Sequence, residues 1–311
     1  MGKDRNTAEV REAMTRYAFF LGCTTPVRAM NYELSTRRVA AKLGIELVDL
    51  PFTCCGYPIE SINRDAAMLM TMRNFALAEA NGLDMITVCS ACTGALTRFS
   101  GEFKEDEALR NKTLGQLKLA GLEYKGSTRV RHFARVLYEE VGVEKLKAAV
   151  VQNLGALRVL THYGCHYVRP SESYGGFDDP ETPSTLDELV RVTGAESVTM
   201  PNKNVCCGAP LLSVDKNLAL SMAEIKLQMA QAANVDALVV VCPFCGISYD
   251  RGQLEIEAEL QRKYGIPVLY YPQLLGMAMG LSPRDLGFMM NSVKVQGLLG
   301  KLSGYAAGVK T

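Results

Sequence analysis

Ten cysteines fall along the 311-residue chain as Cys23, Cys54, Cys55, Cys89 and Cys92, then Cys165, Cys206, Cys207, Cys242 and Cys245. As spacings these are C-x30-CC-x33-C-x2-C and C-x40-CC-x34-C-x2-C, five and five in one order. Each vicinal pair is followed by glycine, in CCGYPIES (54–61) and CCGAPLLS (206–213). The same order twice, with two of three gaps nearly equal, is the mark of an internal duplication. Thiols at this density, without the pattern of a secreted disulfide scaffold, point to metal binding or redox chemistry.

Familiar thiol sites leave part of this pattern unused. A tetrahedral zinc ion takes four thiolates, as does a cubane iron–sulfur cluster, so a fifth cysteine is left over. A dithiol redox centre needs only one CxxC. Neighbouring residues on an extended strand face opposite ways, so Cys54 and Cys55 can face one group only where the chain turns. Gly56 and Gly208 supply the backbone freedom for that turn, and Pro58 and Pro210 stiffen its exit. A large, non-standard iron–sulfur cluster wrapped by five cysteines suits each half. Zinc is the competitor at the first site, and a disulfide between neighbours is strained.

The elements that must carry these cysteines follow from hydrophobic periodicity. RYAFFLG (16–22) and ALRVLTHYG (156–164) read as strands delivering the first cysteine of each half. Helices at 31–43 and 184–193 lead to strands IELVDLP and ESVTMP, and then to CCG. Amphipathic helices at 65–80 and 216–233 precede LDMITV and VDALVVV, short apolar runs typical of buried parallel strands. A strand and helix at 129–141 and 266–279 close each unit. The expectation is an α/β fold of two tandem, pseudo-twofold-related domains, 1–150 and 151–311, with mainly parallel sheets and cysteines at the C-terminal ends of strands. Each CxxC opens a helix whose N-terminal dipole favours thiolate.

Hydrophobic residues make up 48%, charged residues 22%, and the net charge is +1, which reads as a soluble globular protein. Such a balance argues against nucleic acid or anionic lipid as a partner. The N-terminal text MGKDRNTAEVREAMTR is polar, and no apolar run approaches the roughly 18 residues that span a bilayer. The expected location is the cytoplasm, with no membrane span.

The doubled CCG pattern, with LGC near the start, GCHYVRP and FDDP in the middle and CPFC near the end, resembles the B subunit of heterodisulfide reductase. The resemblance runs from about Tyr17 to Pro283 and includes similar subunits of sulfur oxidisers. It implies two non-cubane 4Fe–4S clusters. Cys23, Cys54, Cys55, Cys89 and Cys92 would hold the first, and Cys165, Cys206, Cys207, Cys242 and Cys245 the second. Some relatives keep zinc or a simpler centre at the first site. The implied activity is that of an oxidoreductase acting on sulfur groups, with this chain the catalytic member of a larger complex. Its substrate would be the coenzyme M–coenzyme B heterodisulfide or a sulfur species on a lipoyl carrier protein. Its implied partners are the iron–sulfur and flavin subunits of a heterodisulfide-reductase assembly. Gly246 after CPFC departs from the histidine usual in the methanogenic enzymes.

A disulfide takes two electrons, so two one-electron sites facing each other give the duplication a chemical reason. The vicinal pairs Cys54–Cys55 and Cys206–Cys207, with His166, are the candidate catalytic groups. His162 and His166 bracket Cys165, near enough to donate a hydrogen bond or a proton, while His132 reads as structural. Ten extra residues before the second CCG, within RPSESYGGFDDPETPST, read as a loop over the second site or a solvated insertion, with Arg169 a candidate anion contact. Residues 101–127 read as an exposed helical excursion and a candidate docking surface. The competing functions are an electron-transfer iron–sulfur subunit of a flavin-dependent glycolate- or lactate-oxidising complex, and a zinc-stabilised assembly subunit.

Overall fold

The computed structural model describes residues 14–201 and 203–302; most of the polar N-terminal text, residues 1–13, and the segment after Leu302 lie outside it. The first half contains β1 (Thr15–Phe20), α1 (Thr25–Arg28), α2 (Met30–Lys42), β2 (Ile45–Val48), α3 (Arg64–Ala80), β3 (Asp84–Thr87), α4 (Ser90–Glu105), α5 (Glu107–Leu119), β4 (Val130–His132), α6 (Phe133–Val136) and α7 (Val143–Ala149). The second contains β5 (Arg158–His162), α8 (Thr185–Val192), β6 (Glu196–Ser197), α9 (Lys216–Ala232), β7 (Ala237–Val240), α10 (Pro243–Leu260), β8 (Val268–Tyr270), α11 (Tyr271–Ala278) and α12 (Gln296–Gly300).

Each half holds a four-stranded, wholly parallel sheet, ordered β2-β1-β3-β4 and β6-β5-β7-β8. The α/β architecture of two tandem parallel units is therefore as the repeat implied. All four residues of β7 are buried, as are Ala18, Phe19 and Phe20 of β1. Helices cover both faces, so the central strands are continuous apolar runs with no solvent side. The order reverses between the first and third strands of each sheet, and ligands in open α/β sheets collect beyond the strand ends at that point. Cys23 and Cys89 follow those strands in the first half, and Cys165 and Cys242 in the second.

Three segments differ from their sequence expectation. ESVTMP contributes only two paired residues; Val198 still donates to the Val159 carbonyl at 2.8 Å, but Pro201 has no N–H with which to extend the ladder. Residues 101–127 are a packed layer, since Phe103, Leu117 and Tyr124 are buried and Tyr124 lies 5.9 Å from Phe75 and 5.5 Å from Phe103 between ring centres. The loop of the second half lies against α4 of the first. The space beside Gly94 is filled by His166 Nδ1 and the Tyr174 hydroxyl, and Tyr174 donates to the His166 carbonyl at 2.7 Å. Arg169 is engaged within this loop, donating to the Pro180 carbonyl at 2.7 Å and pairing with Glu181.

The C-terminal strand ends of the two sheets face each other across the seam. His132, at the end of β4, accepts from the Ala134 N–H through Nδ1, so its Nε2 carries the proton and donates to the Val241 carbonyl at 2.8 Å. Ser90 donates to the same carbonyl at 3.1 Å. Tyr32 of α2 stacks on Tyr270 of the second half at 4.1 Å, and Asn31 donates to Asn291 at 3.0 Å.

Burial holds His132 down to about 4 and His162 to about 3, from an ordinary 6.5. Between those values the unfolded chain binds protons that the folded chain refuses, so stability is full above about pH 6.5 and falls as pH drops towards 4. His132→Ala removes one such group and a buried hydrogen bond. Its expected cost in urea unfolding at pH 7 is about 1–3 kcal/mol, with a shallower loss of stability from pH 6.5 to 4. An unchanged pH slope would remove His132 from this role.

Candidate metal centre

The vicinal cysteines are presented by the turn that glycine permits. Gly56 and Gly208 have φ of +90° and +77°, in the left-handed region. A Cβ on Gly56 would lie 2.7 Å from the Ala67 carbonyl oxygen, and one on Gly208 would lie 2.5 Å from that of Ala219. Only glycine therefore lets the turn press against its following helix. A hydroxyl fixes the carbonyl of the second cysteine in each pair: Thr71 donates to Cys55 at 2.8 Å, and Ser248 to Cys207 at 2.7 Å.

Glycines before the first cysteine of each half do a second job. Gly22 and Gly164 have φ of +68° and +71°, and added Cβ atoms would lie 2.9 Å from Cys92 Sγ and 3.3 Å from Cys245 Sγ. Backbone turn and thiol share one space there. Cys89 and Cys242 are the N-cap residues of α4 and α10, at the positive ends of the two helix dipoles, though neither sulfur accepts a capping hydrogen bond. The N–H of Gly208 points to Cys206 Sγ at 3.4 Å.

All ten sulfurs form one continuous string. Each thiol along it perturbs the next, and it runs Cys23, Cys54, Cys55, Cys92, Cys89 in the first half. It crosses from Cys89 to Cys242 and continues through Cys245, Cys207 and Cys206 to Cys165. The order reads the same from either end by position in the motif, so the pseudo-twofold passes between Cys89 and Cys242. Cys55, Cys206 and Cys242 are held well below the ordinary thiol range, chiefly by the influence of two neighbouring thiols on each: Cys54 and Cys92, Cys165 and Cys207, Cys245 and Cys89.

This disposition bears on what could be held. Among the described residues, no group of three or more His, Cys, Asp or Glu side chains is set to grip a single ion. A zinc ion needs four sulfurs converging at about 2.3 Å on one point. Five sulfurs in file, edged by N–H donors, fit a larger anionic group with several metal atoms.

Two hollows flank the seam, one lined by Cys23, Cys55, Cys89 and Cys92, the other by Cys165, Cys207, Cys242 and Cys245. Tyr57, Ala91 and Phe244 line both. Tyr57 follows Cys55 by two positions, where the second half has Ala209; Phe244 lies inside the second CxxC, where the first has Ala91. Each half thus contributes one aromatic wall. His166 lines the second hollow, with its ring centre 5.5 Å from that of Tyr57 in an edge-on contact. His162 is fully buried, edge-on to Tyr249, and its Nε2 has no hydrogen-bond partner among the described residues. The motif spacing does not single out Tyr57, Phe244, Gly22 or Gly164; aligning the two halves around each cysteine is the signal that finds them. At position 246 any side chain would collide with the Tyr270 hydroxyl, so the departure to glycine is coupled to that tyrosine.

Two parallel α/β units with a doubled five-cysteine set define a tandem cysteine-rich-domain protein. The family model described as a cysteine-rich domain matches twice, at residues 17–97 and 159–250. The chain is 39% identical to the B subunit of the ferredoxin/F420H2-dependent CoB-CoM heterodisulfide reductase of Methanosarcina acetivorans, over 96% of this chain and all of that one. It is 38% identical to the B subunit of the ferredoxin:CoB-CoM heterodisulfide reductase of Methanosarcina mazei, over 95% of this chain and all of that one. The 8-methylmenaquinol:fumarate reductase membrane anchor subunit of Wolinella succinogenes is 30% identical over 89% of this chain and 96% of its own. A hypothetical protein from Helicobacter pylori shares the fold, with a TM-score of 0.74 at 19% identity over 90% of this chain; the chain spans about half of that protein. The chain belongs to the family of heterodisulfide reductase B subunits, as an iron–sulfur oxidoreductase component. No helix among the described residues is long and apolar enough to cross a membrane.

The turn geometry makes a local prediction. Gly208→Ala forces a Cβ against backbone at a positive φ, with an expected cost of about 1–3 kcal/mol. Gly101→Ala, in the open interior of α4, should be neutral or stabilising by about 0.5–1 kcal/mol. Thermal unfolding of the two variants checks this; equal effects would refute the close-packed turn.

Proposed function

We propose that the chain is the disulfide-handling subunit of a heterodisulfide-reductase-type complex, with one non-cubane 4Fe–4S cluster on each five-cysteine set. The observation that carries this reading is the pair of hollows, each lined by four cysteines of one half, that share Tyr57, Ala91 and Phe244. The ten cysteines would hold the two clusters, which would supply electrons singly and together the pair that a disulfide takes up. The chain's own part is positional. Tyr57 and Phe244 wall both hollows and keep water from a sulfur–sulfur bond lying between them. His166, the imidazole on the wall of the second hollow, is pushed towards its neutral form by burial and offers a hydrogen bond to the departing thiolate. His132 and Ser90 tie down the carbonyl just before Cys242, so the halves keep their spacing.

The substrate on this reading is a heterodisulfide of the CoB–CoM kind named for the relatives, or a sulfur species carried on a lipoyl protein. Electrons enter from a separate iron–sulfur subunit, which a flavin subunit feeds, in a cytoplasmic assembly. The Wolinella relative, named for a fumarate reductase, favours a second reading in which this chain only relays electrons to chemistry elsewhere.

Anaerobically purified protein should contain about eight iron atoms per chain with matching acid-labile sulfide and little zinc. A thiol-induced EPR signal after oxidation supports disulfide chemistry; iron without that signal supports the electron relay. Zinc without iron sinks both. Cys207→Ala should lose about half the iron and all disulfide reduction while the first site keeps its cluster, and retained turnover would refute its role.

A further inference from the structure

The two halves align around their first and last cysteines, and one buried pair of side chains breaks the match. Counted back from the first cysteine, His162 of β5 stands where β1 has Phe20. Counted on from the last, Tyr249 of α10 stands where α4 has Leu96. All four are fully buried. In the first half both positions are apolar, and Phe20 packs on Phe52 with ring centres 5.3 Å apart. In the second they form a polar pair, with ring centres 4.8 Å apart and the Tyr249 hydroxyl 3.4 Å from His162 Nδ1.

The exchange falls at the same point of both sites. An added Cβ on Gly22 would lie 2.9 Å from Cys92 Sγ and 3.7 Å from Phe20 Cε1. One on Gly164 would lie 3.3 Å from Cys245 Sγ and 3.7 Å from His162 Nε2. A carbon edge thus stands beside the last cysteine of the first set, and an imidazole nitrogen takes the same place in the second. Burial holds the His162 ring neutral, so it carries one proton. The Tyr249 phenol donates to Nδ1, which puts that proton on Nε2. Nε2 has no hydrogen-bond partner among the described residues. A buried N–H costs free energy unless something accepts from it, and what lies beside this one is the second cysteine set.

We infer that His162 is a positioning residue of the second site: its Nε2–H donates to a sulfur of the group held there, a bond with no counterpart at the first site, and this makes the second site easier to reduce. The inference rests on the reading that each five-cysteine set holds an iron–sulfur cluster. A hydrogen bond to sulfur draws off charge and favours the state with the extra electron, so such bonds are among the determinants of cluster potential. Phe20 offers no donor, and Leu96 has no hydroxyl to orient one. Tyr249 acts one step further out, by fixing which imidazole nitrogen carries the proton.

The test is a potentiometric titration followed by EPR on the full, iron-loaded chain. It compares wild type with His162→Phe, which copies the first half, and His162→Gln, which keeps a side-chain N–H. A Cys55→Ala background, with its first site disrupted, identifies the second site's signal. In His162→Phe the second midpoint should move to lower potential with iron retained and the first midpoint in place, and His162→Gln should recover part of the shift. Pulsed EPR on protein carrying nitrogen-15-labelled histidine should show an imidazole coupling at the second site that His162→Phe removes. An unmoved second midpoint, or a coupling unchanged by the substitution, overturns the role of His162 and leaves the cluster reading standing. Equal shifts at both sites, or loss of iron from His162→Phe, also overturn it, because the histidine would then support the fold. Wild-type protein without iron overturns the cluster reading itself.

Discussion

The rest of the molecule depends on a seam between two sheets where Cys89 and Cys242 come close enough to perturb one another and the Val241 carbonyl is held by Ser90 and His132. Each cysteine is the first residue beyond a buried central strand region and the N-cap of the helix that follows. Two such helix starts carry like partial positive charge and would repel if nothing anionic lay between them. Cys242, held towards its thiolate, lies there beside the Cys89 thiol, and an anionic multi-metal group would complete the balance. The pseudo-twofold is thus an electrostatic solution as well as a consequence of duplication.

The seam is rich in polar groups, and the structure satisfies them by exchange between halves. The Val241 carbonyl, left over where β7 ends, takes one hydrogen bond from Ser90 and one from His132, both of the first half. Asn291 likewise accepts from Asn31 of the first half, and within its own half it accepts from Gln273 and donates to the Val268 carbonyl. Buried partners of this kind are costly to leave unmatched, so they fix the distance between the cysteine sets more firmly than apolar packing alone would.

The parts legible in the sequence were those written twice. Paired CCG motifs gave the turn, because a positive φ beside a close backbone contact admits only glycine, and the structure shows both features at Gly56 and Gly208. Period and length placed the strands and long helices to within a few residues. What stayed hidden depended on contacts between halves. Nothing in RPSESYGGFDDPETPST says that it will lie on α4 of the other unit, with Tyr174 and His166 beside Gly94. The charged text of 101–127 concealed a seam carried by only a few apolar residues, among them Phe103, Leu117 and Tyr124. Gly22 and Gly164 looked like ordinary strand-end glycines until the nearness of Cys92 and Cys245 gave them a steric reason.

Where the halves diverge is more informative than where they agree. A duplicated site begins as two identical sites, and two identical one-electron sites have no preferred direction of electron flow between them. Identity is kept in the cysteines and their glycines, which any cluster would require. It is given up in the shell around them: Tyr57 against Ala209, Phe244 against Ala91, and Asn74 against Lys226. The two aromatic exchanges trade bulk across the axis and leave the shared space walled from both sides. Each half therefore supplies one wall of a space that neither encloses alone, so the candidate site belongs to the pair and not to the single unit.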